Sequence, residues 1–106
     1  THIAALELGR LPSHLIVIGG GYVGVELAQA FRLLGSKVTI LQAGSQLLDR
    51  EDRDVADAVR TIFEHDAIEV ITDAETISVE GRSGEQVRLH VRTSGGERVV
   101  EGSDVL

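Results

Sequence analysis

The stretch His14–Phe31, "HLIVIGGGYVGVELAQAF", decides the fold, and its three consecutive glycines are the point on which it turns. Before them, "HLIVIG" is a continuous apolar run rich in β-branched residues, as in a strand buried on both faces of a parallel sheet. From Tyr22 the pattern becomes helical, with Val23, Leu27, Ala30, Phe31 and Leu34 on one stripe. Gly35 follows the last of these and predicts a left-handed helix end. Between strand and helix, Gly19, Gly21 and Gly24 fit G-x-G-x-x-G, with Gly20, Tyr22 and Val23 in the intervening places. In that spacing the first glycine allows a sharp strand-to-helix turn, and the second leaves room for a pyrophosphate to approach the backbone. The third lets the helix pack closely on the strands, and the phosphates sit on free N–H groups at the positive helix end. Gly20 is an additional glycine that loosens the turn without breaking the pattern. The motif alone is a weak signal. A buried strand before it, a helix after it and a second strand at the right distance are what dinucleotide binding requires. A glycine-rich turn that binds nothing is the competing possibility.

Working outward, "KVTIL" (Lys37–Leu41) is a second strand, and "QAGSQLLDRED" is a loop of mostly neutral and small residues. Asp52 opens a second amphipathic helix, with Val55, Val59, Ile62 and Phe63 spaced to share a face, and "IEVIT" is a third strand. The order β-α-β-α-β gives a parallel sheet with both helices as right-handed crossovers. After Thr72 the pattern changes to "TISVE", "EQVRLHVRT" and "ERVVEG", separated by the turn sequences "GRSG" and "SGG". Val87, Leu89 and Val91 alternate with Arg88, His90 and Arg92, the mark of a strand with one dry face and one wet face. The expected fold class is therefore α/β: a Rossmann-like parallel sheet with helices on its faces, plus a three-stranded antiparallel meander. "SDVL" begins another buried strand. Residues 1–13 read as a linker leading into the domain at 14–106; Ala4, Ala5, Leu6 and Leu8 suggest a short turn that Pro12 stops.

The chain has 106 residues, one domain's worth, with 42% hydrophobic and 25% charged residues, as in ordinary soluble proteins. A net charge of −7 argues against nucleic-acid or anionic-membrane partners, though not against a phosphate held at one spot. With no cysteine, the chain has no disulfide, no thiolate metal site and no thiol redox chemistry of its own. The histidines His2, His14, His65 and His90 lack metal-site spacing. "DREDRD" fits a solvated helix start, its carboxylates near the positive helix end. No basic segment followed by an apolar core opens the sequence, so no secretory signal is expected. The run Leu15–Phe31 is broken by Gly19, Gly20, Gly21, Gly24 and Glu26 and is too short for a membrane span. A cytoplasmic location is the default expectation.

Cofactor choice is less legible. A carboxylate about twenty residues after the glycines accepts from a ribose 2′-hydroxyl, whereas a nearby Arg suits a 2′-phosphate. Here the second strand ends in Gln42, Ala43, Gly44 and Ser45. Gln42 can bond a ribose hydroxyl without repelling a phosphate, and Ser45 can donate to one, so NAD and NADP both stay open.

Taken together, "LPSHLIVIGGGYVGVELAQAFRLLGSKVTIL", "LLDRED", "AIEVIT", the meander and "SDVL" resemble the NAD(P)H-binding domain of the flavoprotein pyridine nucleotide-disulfide oxidoreductases. Within that family the similarity is to the mercuric reductase and dihydrolipoyl dehydrogenase branch. The form G-x-G-Y-V-G-x-E is more specific than the bare glycine pattern. The resemblance implies that Gly19, Gly21 and Gly24 hold the pyrophosphate, with Gly20 and Val23 in the same turn. It implies that Tyr22 lies over the nicotinamide pocket and that Glu26 contacts the carboxamide and a lysine of the flavin domain. Gln42 and Ala43 fall at the ribose or 2′-phosphate selector, and Thr76 near the adenine. Ala67 replaces a frequent glycine after the second helix; either Asp66 turns left-handed or the turn is strained.

The family's chemistry further implies FAD and a redox-active cysteine pair in a flavin domain. A dimerisation domain would supply a His–Glu pair, in a homodimeric parent. The cysteine-free chain is then expected to be a nucleotide-binding piece with no catalytic residue of its own. A stand-alone short-chain dehydrogenase fails, because the residue four after Tyr22 is Glu26 rather than Lys. A Rossmann ligand-sensing module, or a structural domain without cofactor, are the rival functions.

Overall fold

The computed structural model describes residues 11–106, so the short turn expected at Ala4–Leu8 and most of the 1–13 linker lie outside the described residues. Strand β1 (His14–Ile18), helix α1 (Tyr22–Leu34), β2 (Lys37–Leu41), α2 (Arg53–His65) and β3 (Glu69–Ile71) alternate as expected. Then come β4 (Glu75–Arg82), β5 (Gln86–Thr93), β6 (Gly96–Gly102) and a short β7 (Asp104–Val105). The first sheet has the order β3-β2-β1-β7, parallel throughout, and the second is the antiparallel meander β4-β5-β6. "SDVL" does form a strand beside β1, with Leu15 opposite Asp104 and Ile16 opposite Val105.

Both crossovers step across the sheet in the same direction, so right-handedness puts both helices on one face. Leu15, Val17, Val38, Ile40 and Val70 face them and form one core with Ala28, Phe31 and Phe63. Ile16 and Leu41 point the other way and meet Val87, Leu89, Val91 and Val100 of the meander. The parallel sheet is thus the middle of three layers. This is why its strands read as unbroken apolar runs while β5 alternates.

The inward faces of the helices differ from the apolar stripes. α1 buries Ala28 and Phe31, leaving Val23 and Leu34 mostly exposed; α2 buries Ala56 and Phe63, with Val55 and Ile62 about half exposed. Both helices end in the same cap. The Gly35 N–H donates to the Arg32 carbonyl at 3.0 Å and the Ser36 N–H to that of Phe31 at 3.0 Å. After α2, the Ala67 and Ile68 N–H groups donate to the Glu64 and Phe63 carbonyls at 3.1 and 2.9 Å. Gly35 sits at φ 113° and Ala67 at φ 64°, so Ala67 itself, not Asp66 at φ −83°, takes the left-handed position. For a residue with a Cβ that conformation costs about 1–2 kcal/mol.

Candidate functional site

Strand β1 delivers the chain to Gly19, whose φ is +106° and whose N–H donates to the Leu41 carbonyl at 2.7 Å. Three residues later α1 begins, with Gly21 as its N-cap, no side-chain cap and no acid in its first turn. The first-turn N–H groups therefore have neither intrahelical nor side-chain acceptors, and they carry the positive end of the helix dipole. A Cβ built on Gly21 would meet no atom within 4 Å, so the space in front of this turn is open. Gly24 is the opposite case. Its Cβ would stand 2.1 Å from the Gly19 carbonyl oxygen, so α1 rides directly on the turn's own backbone.

Gly20 does more than loosen the turn. A Cβ there would lie 2.6 Å from Leu47 Cδ2 and 3.4 Å from Gln42 Cβ, because the β2–α2 loop is packed against it. The Gly20 N–H donates to Gln42 Oε1 at 2.9 Å, and its carbonyl accepts from the Leu48 N–H at 2.7 Å. Gln42 Nε2 donates to the Gln46 carbonyl at 3.1 Å, and Gln46 Nε2 reaches the Leu48 and Glu51 carbonyls at 3.2 and 2.9 Å. Gln42 is only 8% exposed, with both ends of its amide engaged. Beyond it, Ala43 and Ser45 are exposed. Arg53 Nη1 lies 3.4 Å from the Ser45 carbonyl and 3.5 Å from its Oγ, while Arg53 Nε pairs with Asp57 Oδ1 at 3.2 Å. From the other side, the Asp73 and Ala74 N–H groups bond the Gly44 and Gln42 carbonyls at 2.9 and 3.0 Å.

Tyr22 is exposed at the mouth of the turn, and its hydroxyl donates to Glu51 Oε1. That hydrogen bond, and then the negative charge of Glu51, raise the hydroxyl's pKa above the usual tyrosine value. On the opposite side a crevice of 320 Å³ opens between the ends of β1 and β7, lined by Ile18, Gly19, Gly21, Val23, Leu27 and Leu106. β2 lies on one side of β1 and β7 on the other, so this crevice is the topological switch point of the sheet. Glu26 is exposed one turn further along α1. A larger hollow of 440 Å³ on the outer face of the meander, by His90 and Arg98, is lined by none of the candidate residues.

Gly19, Gly20, Gly21, Tyr22, Val23, Gly24 and Gln42 are therefore brought together, with Ala43 beside them. Thr76 stands apart: it is half-buried in β4 opposite Val91, next to a register shift in the strand, and the segment before it joins the loop through Asp73 and Ala74. The sequence pattern missed Leu47, Glu51 and Arg53. Only the apolar pair Leu47–Leu48 inside a polar loop signalled that this segment returns to the core. Among the described residues no group of three or more His, Cys, Asp or Glu could hold a metal ion. No helix among them is long and apolar enough to cross a membrane.

Residues 14–97 match the family described as pyridine nucleotide-disulphide oxidoreductase. A probable pyridine nucleotide-disulfide oxidoreductase of Escherichia coli, RclA, is 46% identical over 85 residues, which are 80% of this chain and 19% of that protein. A mercuric reductase of Bacillus cereus is 36% identical over all 106 residues, 17% of its own length. The chain thus spans less than a fifth of these relatives. In structure, the Cu(II) complex of the HOCl-induced flavoprotein disulfide reductase RclA from Escherichia coli superposes with a TM-score of 0.81 at 39% identity, covering 97% of this chain and 22% of that one. With the family matched over residues 14–97 and the fold superposing on that flavoprotein disulfide reductase, this chain belongs to the pyridine nucleotide-disulphide oxidoreductases.

Proposed function

We propose that this chain binds NAD(P)H for a flavin-dependent oxidoreductase, cradling the dinucleotide's pyrophosphate at the start of α1. The observation that carries this is the open space before Gly21, set against a helix end with no capping side chain and no acid. Such an end suits an anion, and a Cβ at Gly21 would fill the cradle. Gly19 turns the chain, Gly24 seats the helix, and the first-turn N–H groups of Tyr22, Val23 and Gly24 face the phosphates. Gly20, whose own N–H and carbonyl are engaged, seats the loop that carries Gln42. The switch-point crevice takes the nicotinamide side, while Tyr22 stands across the turn from it against Glu51 and Glu26 lies one turn further along α1. Ala43 and, more remotely, Thr76 lie toward the adenosine side. When bound, the nicotinamide supplies a hydride, for which the flavin of the intact, dimeric enzyme is the acceptor. This chain's own part is binding and orientation.

Calorimetric titration of the chain with NADH and with NADPH tests the proposal. Wild type should bind at least one of them at sub-millimolar concentration. Gly21→Ala should abolish that binding while keeping stability within about 1 kcal/mol, since the added methyl meets no protein atom. Binding of neither nucleotide, or binding that survives Gly21→Ala, would overturn it.

A further inference from the structure

Resting on dinucleotide binding at the glycine turn, we propose that Arg53 and Ser45 recognise the 2′-position of the adenosine ribose, and that the chain takes NADPH in preference to NADH. Discrimination between the two falls to side chains just beyond the second strand: a carboxylate for two ribose hydroxyls, a cation for a 2′-phosphate. The first residue past β2 is Gln42, and it does neither job. Its Oε1 is held by the Gly20 N–H at 2.9 Å, its Nε2 by the Gln46 carbonyl at 3.1 Å, and the side chain is buried. Gln42 is a positioning residue that locks the loop to the turn.

The exposed groups beyond it are the small Ala43, which leaves room for an extra phosphate, and Ser45, whose hydroxyl can donate. The loop's Glu51 carboxylate is engaged by the Tyr22 hydroxyl. Over Ser45 stands the Arg53 guanidinium, with Nη1 3.4 Å from the Ser45 carbonyl and 3.5 Å from Oγ. Its other partner, Asp57 at 3.2 Å, is as solvent-exposed as Arg53 itself. Exposed pairs of this kind are weak, so the guanidinium can turn its planar fork to a phosphate dianion at little cost. An opposing device would be Asp73, the acid hydrogen-bonded through its backbone to Gly44. Were its carboxylate to take the ribose hydroxyls, NADH would be favoured.

The test is calorimetry of the chain with NADPH, NADH and adenosine 2′,5′-bisphosphate, repeated on Arg53→Ala and Ser45→Ala. NADPH should bind about tenfold more tightly than NADH, and Arg53→Ala should bring the ratio close to one, as loss of a charge-assisted phosphate contact predicts. Ser45→Ala should lower the ratio less, and adenosine 2′,5′-bisphosphate should compete with NADPH for wild type. Arg53 is exposed, so its replacement does not threaten the fold. Equal or tighter binding of NADH, or a ratio that Arg53→Ala leaves in place, overturns the inference while leaving dinucleotide binding intact. Binding of neither nucleotide overturns both.

Discussion

Gln42 is the residue whose part changes most between pattern and structure. By position it is a ribose selector; by geometry it is a clamp, accepting from Gly20 with one end and donating to Gln46 with the other. A carboxylate in its place keeps the acceptor for Gly20 but sets a second oxygen against the Gln46 carbonyl, in a site only 8% exposed. Gln42→Glu should therefore destabilise the chain by about 1–3 kcal/mol at pH 7.5, the usual range for a buried polar group left without its partner. Burial and the facing carbonyl would raise the new carboxyl's pKa in the folded state. A raised folded pKa gives stability that is present at low pH and lost as pH rises through that value. The deficit relative to wild type should accordingly shrink toward pH 4.5. Urea denaturation of both proteins at the two pH values checks this, and a deficit that stays constant with pH would mean that the amide's donor end is unimportant.

At the scale of elements, most of the fold was legible because each strand type carries its burial in its pattern. The unbroken run of β1 announced cover on both faces, and the alternation of β5 announced one. The inward faces of the helices were harder. α1 is apolar around most of its circumference, so large residues do not mark the buried side; the close approach at Gly24 and Ala28 does. Ala67 was flagged by its residue type, but only its dihedral angle shows that it takes the cap itself. The least legible element was the 42–51 loop, because its contacts to Gly20 join residues more than twenty positions apart and follow no period. That packing makes a prediction. Gly20→Ala drives a methyl into Leu47, costing about 1–3 kcal/mol by overpacking. Leu47→Ala empties the same space, costing about 2–5 kcal/mol. In the double variant the new methyl occupies part of the vacated volume, so its loss should fall short of the sum by about 1 kcal/mol or more. Denaturant midpoints of the four proteins measure this coupling, and simple additivity would show that the two side chains do not compete.

For the whole molecule, the middle position of the parallel sheet leaves only its two ends for polar chemistry. The carboxyl end of β1 holds the glycine turn; the amino end carries a hydrogen-bonded series across β1, β2 and β3 that ends in an ion pair to the meander. His14 Nε2 lies 2.8 Å from Thr39 Oγ1, the Thr39 hydroxyl donates to Glu69 Oε1 at 3.1 Å, and Glu69 Oε2 lies 3.8 Å from Arg98 Nη2 of β6. Because the Thr39 proton goes to Glu69, the neutral His14 ring serves as the donor to Thr39. Burial, and then the charge of Lys37, lower the His14 pKa from its ordinary value, against a smaller upward pull from Glu69. The unfolded chain then binds this proton more readily than the folded one, so His14 contributes full stability above about pH 6.5 and loses it as pH falls toward the lowered folded value. Wild type should therefore lose unfolding free energy between pH 7.5 and 5.5, with a slope of less than one proton. His14→Gln keeps an N–H for Thr39 but does not titrate, so its stability should be flatter over the same window. Urea denaturation at half-unit pH steps distinguishes the two, and identical slopes would mean that the acid sensitivity arises elsewhere. Since this series lies at the opposite end of β1 from Gly21, the same titration should weaken the fold without a matching step in nucleotide affinity per folded molecule.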